Sequence, residues 1–213
     1  MQGTDAVFYI VILVMSIVIH EVSHGFMAEY FGDNTARNAG RLTLNPLKHL
    51  DLFGSIILPA LLVLTHSGFL FGWAKPVPYN PNNLRDRKWG TIAVASAGVL
   101  ANLFIVIIFG ILIHLAPSLG FPPYDPFAPI PFYKITSIIV MLNLALAIFN
   151  LVPIPPLDGS KILFSLLPRS FDPIMLLFER YSLIFLLIFI VFFSNFLYPV
   201  LAFLYHLFTG LLL

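Results

Sequence analysis

The segment from residue 90 to residue 116 constrains the fold of this chain more than any other feature. It reads GTIAVASAGVLANLFIVIIFGILIHLA and contains no Asp, Glu, Lys or Arg. An α-helix rises about 1.5 Å per residue, so this stretch is long enough to cross the roughly 30 Å hydrocarbon core of a bilayer. Residues 6–28 and 135–152 are similarly apolar, and residues 181–198 are a further candidate. The sequence therefore predicts an all-α polytopic membrane protein.

The composition of the whole chain supports this class and excludes others. Hydrophobic residues make up 59% of the 213 residues and charged residues only 10%, whereas about 25% are charged in an ordinary soluble domain. The formal net charge of +1 provides no field that attracts nucleic acid, so no nucleic-acid partner is expected. The chain has no cysteine, which excludes disulfides and thiolate zinc sites. We interpret residues 1–213 as a single membrane-embedded domain.

The placement of basic residues predicts the topology. Segments 32–49 and 72–88 are basic, whereas segment 117–133 has no Lys or Arg. Cytoplasmic loops are enriched in these residues, so both basic segments are expected inside. Segment 52–71, interrupted by Pro59, would then be a re-entrant or broken element rather than a full span, although a full span stays open. We expect about four to six transmembrane helices, with short extended segments near the cytoplasmic face.

A candidate metal site lies inside the first apolar stretch. Residues 20–24 read His-Glu-Val-Ser-His, which is the HExxH pattern. Residues four apart share one face of a helix, so His20 and His24 can bind one metal ion while Glu21 acts on a water molecule. Two imidazoles and a carboxylate in an apolar helix are costly unless they serve a site. The pattern therefore predicts a metal centre with Glu21 as its general base.

The third ligand of such a centre is expected to be Asp158. Catalytic zinc sites usually have three protein ligands and one open position. Asp158 lies in NLVPIPPLDG at 150–159, just past the predicted inner end of a helix. The prolines exclude regular helix there, and Gly159 allows close backbone approach. A carboxylate in such a loop can instead cap the next helix, but the HExxH motif favours the ligand role.

Together these motifs resemble those of the site-2 protease family of intramembrane zinc metalloproteases. That family pairs HExxH on one transmembrane helix with an NxxPxPxLDG-type motif on a later one, as do HEVSHG at 20–25 and NLVPIPPLDG at 150–159. SAGVLAN at 96–102 is similar to the family's GxxxN segment, although Val99 stands where the family more often has Pro. The resemblance covers most of the chain and points to prokaryotic members with neither PDZ nor CBS domains.

This resemblance implies a zinc endopeptidase that cleaves transmembrane or membrane-proximal segments of membrane proteins. It implies one Zn²⁺ per chain and a multi-pass protein of the plasma membrane with its active site near the cytoplasmic side. The residues that it implies for the site are His20, His24 and Asp158 as zinc ligands, Glu21 as the catalytic base, and Asn102 and Asn150 as substrate-binding residues.

Two other classes of function compete with this interpretation. A metal-ion transporter could use the same polar residues as an ion path, although transport does not need a glutamate between two histidines four apart. A catalytically silent membrane scaffold is the second alternative, and the intact HExxH motif argues against it. The remaining histidines, including His49 and His66, are expected to be loop or interface residues. Arg37 and Arg41 are interpreted as positive-inside charges. A homo-oligomer stays open.

Overall fold

A computed structural model describes residues 3–57, 61, 64, 74–125, 130–193 and 196–212. These residues form eight α-helices joined by short turns of 3₁₀ or π-helix, and none of them lies in a β-strand. The helices are α1 Gly3–Tyr30, α2 Thr35–Asn38, α3 Arg87–Leu115, α4 Pro131–Asn150, α5 Asp158–Leu166, α6 Asp172–Arg180, α7 Ser182–Phe193 and α8 Leu197–Thr209.

Three helices have the length and composition to cross a membrane. They are Val7–Tyr30 of α1, all of α3 and all of α4. Large apolar side chains on their outer faces are exposed, as expected for surfaces that contact lipid. The prediction of an all-α polytopic membrane protein is therefore confirmed.

Helices α6 and α7 form a bent pair that gives up to one further span. Their axes differ by 75° across the break at Tyr181, which is the geometry of a broken span or a re-entrant loop. With this pair the described residues hold up to four spans, within the predicted range of four to six. Most of segment 52–71, where the sequence analysis expected the re-entrant element, lies outside the described residues. His66 also lies there.

Helix α3 is the centre of the bundle and packs against α1, α4, α5 and α8. It begins where the Asp86 carboxylate accepts a hydrogen bond from the backbone N–H of Trp89 at 2.9 Å, an ordinary N-cap. Its buried face carries Gly90, Ala97, Gly98 and other small residues. Small side chains let neighbouring membrane helices approach closely, so α3 can contact several helices at once.

Three hydrogen bonds join residues 75–83 to the segment that follows α1. Asp33 is fully buried and its carboxylate accepts hydrogen bonds from the Asn80 N–H at 2.6 Å and from Asn83 Nδ2 at 2.9 Å. Arg41 donates to the Lys75 carbonyl at 2.7 Å. Arg41 is only 8% exposed, so the interpretation as a plain positive-inside charge missed its structural role.

Candidate metal centre

Helix α1 supplies two of the three residues of the candidate centre. His20 and His24 are both buried, and their rings lie edge to face with centroids 4.6 Å apart. The spacing of four residues brings them onto one face of α1. The face predicted from the HExxH pattern is therefore the face that α1 turns toward the rest of the bundle.

The start of α5 supplies the third residue, Asp158. The chain turns through Pro153, Pro155 and Pro156 after α4, and α5 begins at Asp158. A Cβ atom at Gly159 would lie 2.2 Å from the Leu151 carbonyl oxygen. Glycine is therefore required for this turn to close, and the closed turn holds Asp158 in a buried position.

The three side chains meet at one point. Asp158 Oδ2 lies 3.1 Å from Nε2 of His20 and 3.1 Å from Nε2 of His24, and one ligand atom from each residue lies within 4.8 Å of the others. Burial raises the pKa of the Asp158 carboxyl, but the two imidazoles beside it and the charge of Lys161 outweigh this and lower it. Asp158 is therefore ionised at neutral pH.

The hydrogen bonds on the far side of each ring show that this group fits a metal ion. His20 Nδ1 lies 2.7 Å from Asn102 Oδ1, and His24 Nδ1 lies 2.6 Å from the Val94 carbonyl oxygen. Both partners are acceptors, so each Nδ1 carries a hydrogen, and a neutral ring in this orientation offers its Nε2 lone pair to a metal ion on the Asp158 side. Two such lone pairs and a carboxylate converge, which is the donor set of a catalytic zinc site.

Gly98 of α3 provides the space for both rings. A Cβ atom at this position would lie 2.6 Å from His20 Cε1 and 2.6 Å from His24 Nε2. Real Cβ atoms do not approach other heavy atoms this closely. Gly98 is therefore needed where it stands, and the adjacent Val99 does not interrupt the helix.

Glu21 faces the segment of residues 74–80. Its Oε2 accepts a hydrogen bond from the backbone N–H of Val77 at 2.9 Å. Val77 is buried and packs near Gly25 of α1. The predicted general base is thus adjacent in sequence to His20, a candidate ligand, and accepts a hydrogen bond from the backbone of residues 74–80.

The two predicted substrate-binding residues lie in different surroundings. Asn102 is fully buried and contacts His20, so it is part of the centre. Asn150 donates its Nδ2 hydrogen to the Leu146 carbonyl in its own helix at 2.9 Å, and no hydrogen bond joins it to the three ligand candidates in the part of the chain described. A substrate-binding role for either residue stays a prediction.

Several residues that surround the centre were not predicted from the sequence. Asn143 of α4 and Ser16 of α1 are buried and connect to Asn102 through hydrogen bonds. Lys161 of α5 lies with its Nζ 3.1 Å from Asp158 Oδ1. An asparagine inside an apolar helix is itself a signal of packing or function, so Asn143 could have been found. The contacts of Ser16 and Lys161 depend on the tertiary fold.

The fold and the centre define a class of protein: a polytopic membrane protein with an adjacent glutamate and a buried His₂Asp group that could hold a metal ion. A sequence profile of Peptidase family M50 matches residues 125–193, a segment that contains Asp158. No solved structure matches the chain.

Relatives with printed names extend the comparison over most of the chain. "Putative zinc metalloprotease YwhC" of Bacillus subtilis is 37% identical over 184 residues, which cover 86% of this chain and 80% of the relative. "Putative zinc metalloprotease Rip2" of Mycolicibacterium smegmatis is 32% identical over 145 residues, which cover 68% of this chain and 51% of the relative. The chain therefore belongs to peptidase family M50, the site-2 protease family of zinc metalloproteases. Zinc is its cofactor.

Proposed function

We propose that this chain is an intramembrane endopeptidase that hydrolyses peptide bonds in transmembrane or membrane-proximal segments of membrane proteins. The observation that carries the proposal is the convergence of His20, His24 and Asp158 inside a membrane helix bundle, next to Glu21. Membership in a family of zinc proteases supports peptide-bond hydrolysis as the reaction. The location of the group within spanning helices supports transmembrane or membrane-proximal segments as the substrates.

Glu21, Asp158 and the two histidines have different roles in the proposed hydrolysis. His20, His24 and Asp158 would hold a zinc ion, which when bound would supply polarisation of the scissile carbonyl and a lower pKa for water. Glu21 would take a proton from the attacking water and pass it to the leaving nitrogen. Asp158 stays ionised, and the Nδ1 contacts of the two histidines favour the neutral tautomer whose Nε2 can bind the metal. The ligand atoms are thus held in place before a substrate arrives, which is the condition for efficient catalysis.

Hydrolysis needs water, and we propose that it enters through a cavity on the Lys161 side of the centre. A cavity of about 990 Å³ is lined by Tyr79, Pro156, Lys161 and Glu179 among others. Lys161 also contacts Asp158, so the cavity ends beside the candidate centre. Arg87 and Lys88 line it as well, and basic residues mark the cytoplasmic side. We infer that the active site opens toward the cytoplasm.

The segment of residues 74–80 is the proposed binding edge for an unwound substrate. Pro76 and Pro78 have no N–H, so only the residues between and beside them can donate to a substrate backbone. Val77 is one of them, and its N–H is held by Glu21. A substrate carbonyl that accepts this hydrogen bond would take the place of the Glu21 carboxylate and leave Glu21 free to receive a proton. Strand addition of this kind is a common mode of peptide recognition.

Removing this single donor tests the binding edge. We expect Val77→Pro to lower kcat/KM for a transmembrane peptide about tenfold, which corresponds to the loss of one hydrogen bond of roughly 1.4 kcal/mol, while the zinc content stays unchanged. Val77→Ala is the matched control, because it shortens the same side chain and keeps the N–H. The binding edge is wrong if Val77→Pro cleaves as fast as Val77→Ala.

Reconstitution distinguishes the protease from the transporter. The purified chain in liposomes is given zinc and a panel of transmembrane peptides, and peptide products and zinc flux are measured together. We expect cleavage that a chelator abolishes and no zinc flux above that of empty liposomes. Zinc flux without cleavage would instead support the metal-ion transporter. Membrane-protein substrates, the bilayer as environment and a homo-oligomeric working unit remain proposals.

A further inference from the structure

A chain of buried amides connects α4 to the candidate zinc ligand His20. Asn143 and Asn102 are both fully buried. Asn143 Nδ2 donates to the Ile139 carbonyl at 2.9 Å and to Ser16 Oγ at 2.9 Å. Asn143 Oδ1 accepts from Asn102 Nδ2 at 2.8 Å, and Asn102 Oδ1 lies 2.7 Å from His20 Nδ1. Three helices, α1, α3 and α4, are thus joined by one continuous set of hydrogen bonds.

The direction of these bonds is fixed at one end. A backbone carbonyl can only accept, so the contact with Ile139 requires the NH₂ group of Asn143 on that side. Asn143 Oδ1 then faces Asn102, which must present its own NH₂ group. The Oδ1 atom of Asn102 is therefore turned to His20, and the hydrogen of the His20 ring lies on Nδ1.

We propose that Asn143 is a positioning residue that sets the tautomer of His20 through Asn102. The inference rests on the proposed role of His20 as a zinc ligand. Only the tautomer with its hydrogen on Nδ1 has an Nε2 lone pair directed at Asp158 and available to zinc. The partner of the second ring nitrogen commonly sets this choice at metal sites. Here the immediate partner is an amide that can rotate, and Asn143 prevents the rotation.

Without Asn143, the Asn102 amide loses the hydrogen bond that fixes its orientation. In the reversed orientation its NH₂ group faces His20, whose Nδ1 must then accept, and the ring hydrogen moves to Nε2. That tautomer does not bind zinc through Nε2. Outer partners of metal ligands typically contribute 10–100-fold in metal affinity, and we expect about a tenfold loss because Asn143 acts one step further out.

The first test compares zinc affinities of the purified full-length chain by competition with a chelator. We expect Asn143→Leu to bind zinc about tenfold more weakly than the wild type, and Ser16→Ala to bind it within about twofold, because Ile139 still fixes the Asn143 amide. Thr136→Val is the matched control on the same helix. Thr136 is buried and donates to the Phe132 carbonyl at 2.7 Å, but it lies outside the amide chain. The zinc affinity of the Thr136→Val protein should therefore equal that of the wild type.

A second substitution separates positioning from mere packing. Asn102→Asp places a carboxylate beside His20, and a carboxylate presents only acceptors whichever way it rotates. In this background we expect Asn143→Leu not to lower zinc affinity, because the carboxylate needs no orienting partner and its second oxygen only opposes Asn143 Oδ1. If Asn143→Leu lowers zinc affinity equally in the wild type and in the Asn102→Asp background, the proposal is overturned and Asn143 is assigned to packing. Asn143→Ala repeats both comparisons with a smaller side chain, should the leucine prevent folding.

Failure of this inference differs from failure of the proposed function. Asp158→Ala sets the scale for the loss of a ligand and should reduce zinc binding far more than Asn143→Leu does. If Asp158→Ala leaves zinc affinity unchanged, the ligand assignment itself is wrong. If Asp158→Ala abolishes binding and Asn143→Leu equals Thr136→Val, only the positioning role of Asn143 is wrong.

Discussion

Glu21→Gln is expected to bind zinc like the wild type and to lose about 10²–10⁴-fold in kcat, the usual contribution of a general base. The carboxamide has nearly the same shape as the carboxylate, and its oxygen can still accept the N–H of Val77. It cannot take up a proton at neutral pH, so the attack of water on the scissile carbonyl has no base. Zinc content and cleavage of a transmembrane peptide in the same liposomes measure the two effects separately.

Glu29→Gln is the matched control for this prediction. Glu29 lies on α1 as well, but its carboxylate pairs with the Arg37 guanidinium at the surface. Surface ion pairs contribute little to stability, so this variant should retain nearly all of the cleavage activity. A Glu21→Gln protein that cleaves at a rate close to that of Glu29→Gln would remove Glu21 from the mechanism.

Gly98→Ala is expected to weaken zinc binding about 100-fold, at the upper end of what outer partners of metal ligands contribute. The added methyl group would lie 2.6 Å from atoms of both imidazoles. Either the two rings move or α3 moves away from α1, and in both cases the ligand atoms leave a geometry that must hold within about 0.5 Å. Chelator competition on the purified chain measures the loss.

Gly110→Ala controls for damage to helix packing. Gly110 lies on the same helix, and a Cβ atom there would lie 2.6 Å from the Phe208 carbonyl oxygen, far along α3 from the histidines. The steric conflict is equal in distance but involves α8 instead of the metal centre. Gly110→Ala should therefore lower the thermal stability and leave zinc affinity unchanged. If both alanine variants bind zinc equally well, Gly98 does not shape the site.

The principal site residues could be predicted because local rules determine them. The spacing in HExxH places His20 and His24 on one helical face wherever the helix packs. Asp158 followed from the proline-rich turn, from the absence of cysteine and from a family resemblance. The apolar stretches predicted α1, α3 and α4 for the same reason, since a membrane leaves the backbone few alternatives to helix.

The surroundings of these residues could not be predicted, because they depend on how the helices pack. The contact between Asn143 and Asn102 joins residues 41 positions apart. The sequence does not determine by itself which faces of α3 and α4 pack together. Arg41 was interpreted only as a positive-inside charge, yet it is buried and donates to the Lys75 carbonyl. Asn150 belongs to the same motif as Asp158, but its amide bonds within its own helix.

Three successive turns of α3 determine how the two histidines are oriented, which limits how the centre can be transferred to another protein. Val94, Gly98 and Asn102 are spaced four residues apart, and they respectively orient His24, make room for both rings and orient His20. The five residues of HExxH carry none of this information. An HExxH helix grafted into another membrane bundle would lack it, so the smallest portable metal centre comprises α1, α3, the part of α4 that carries Asn143, and the turn that begins α5.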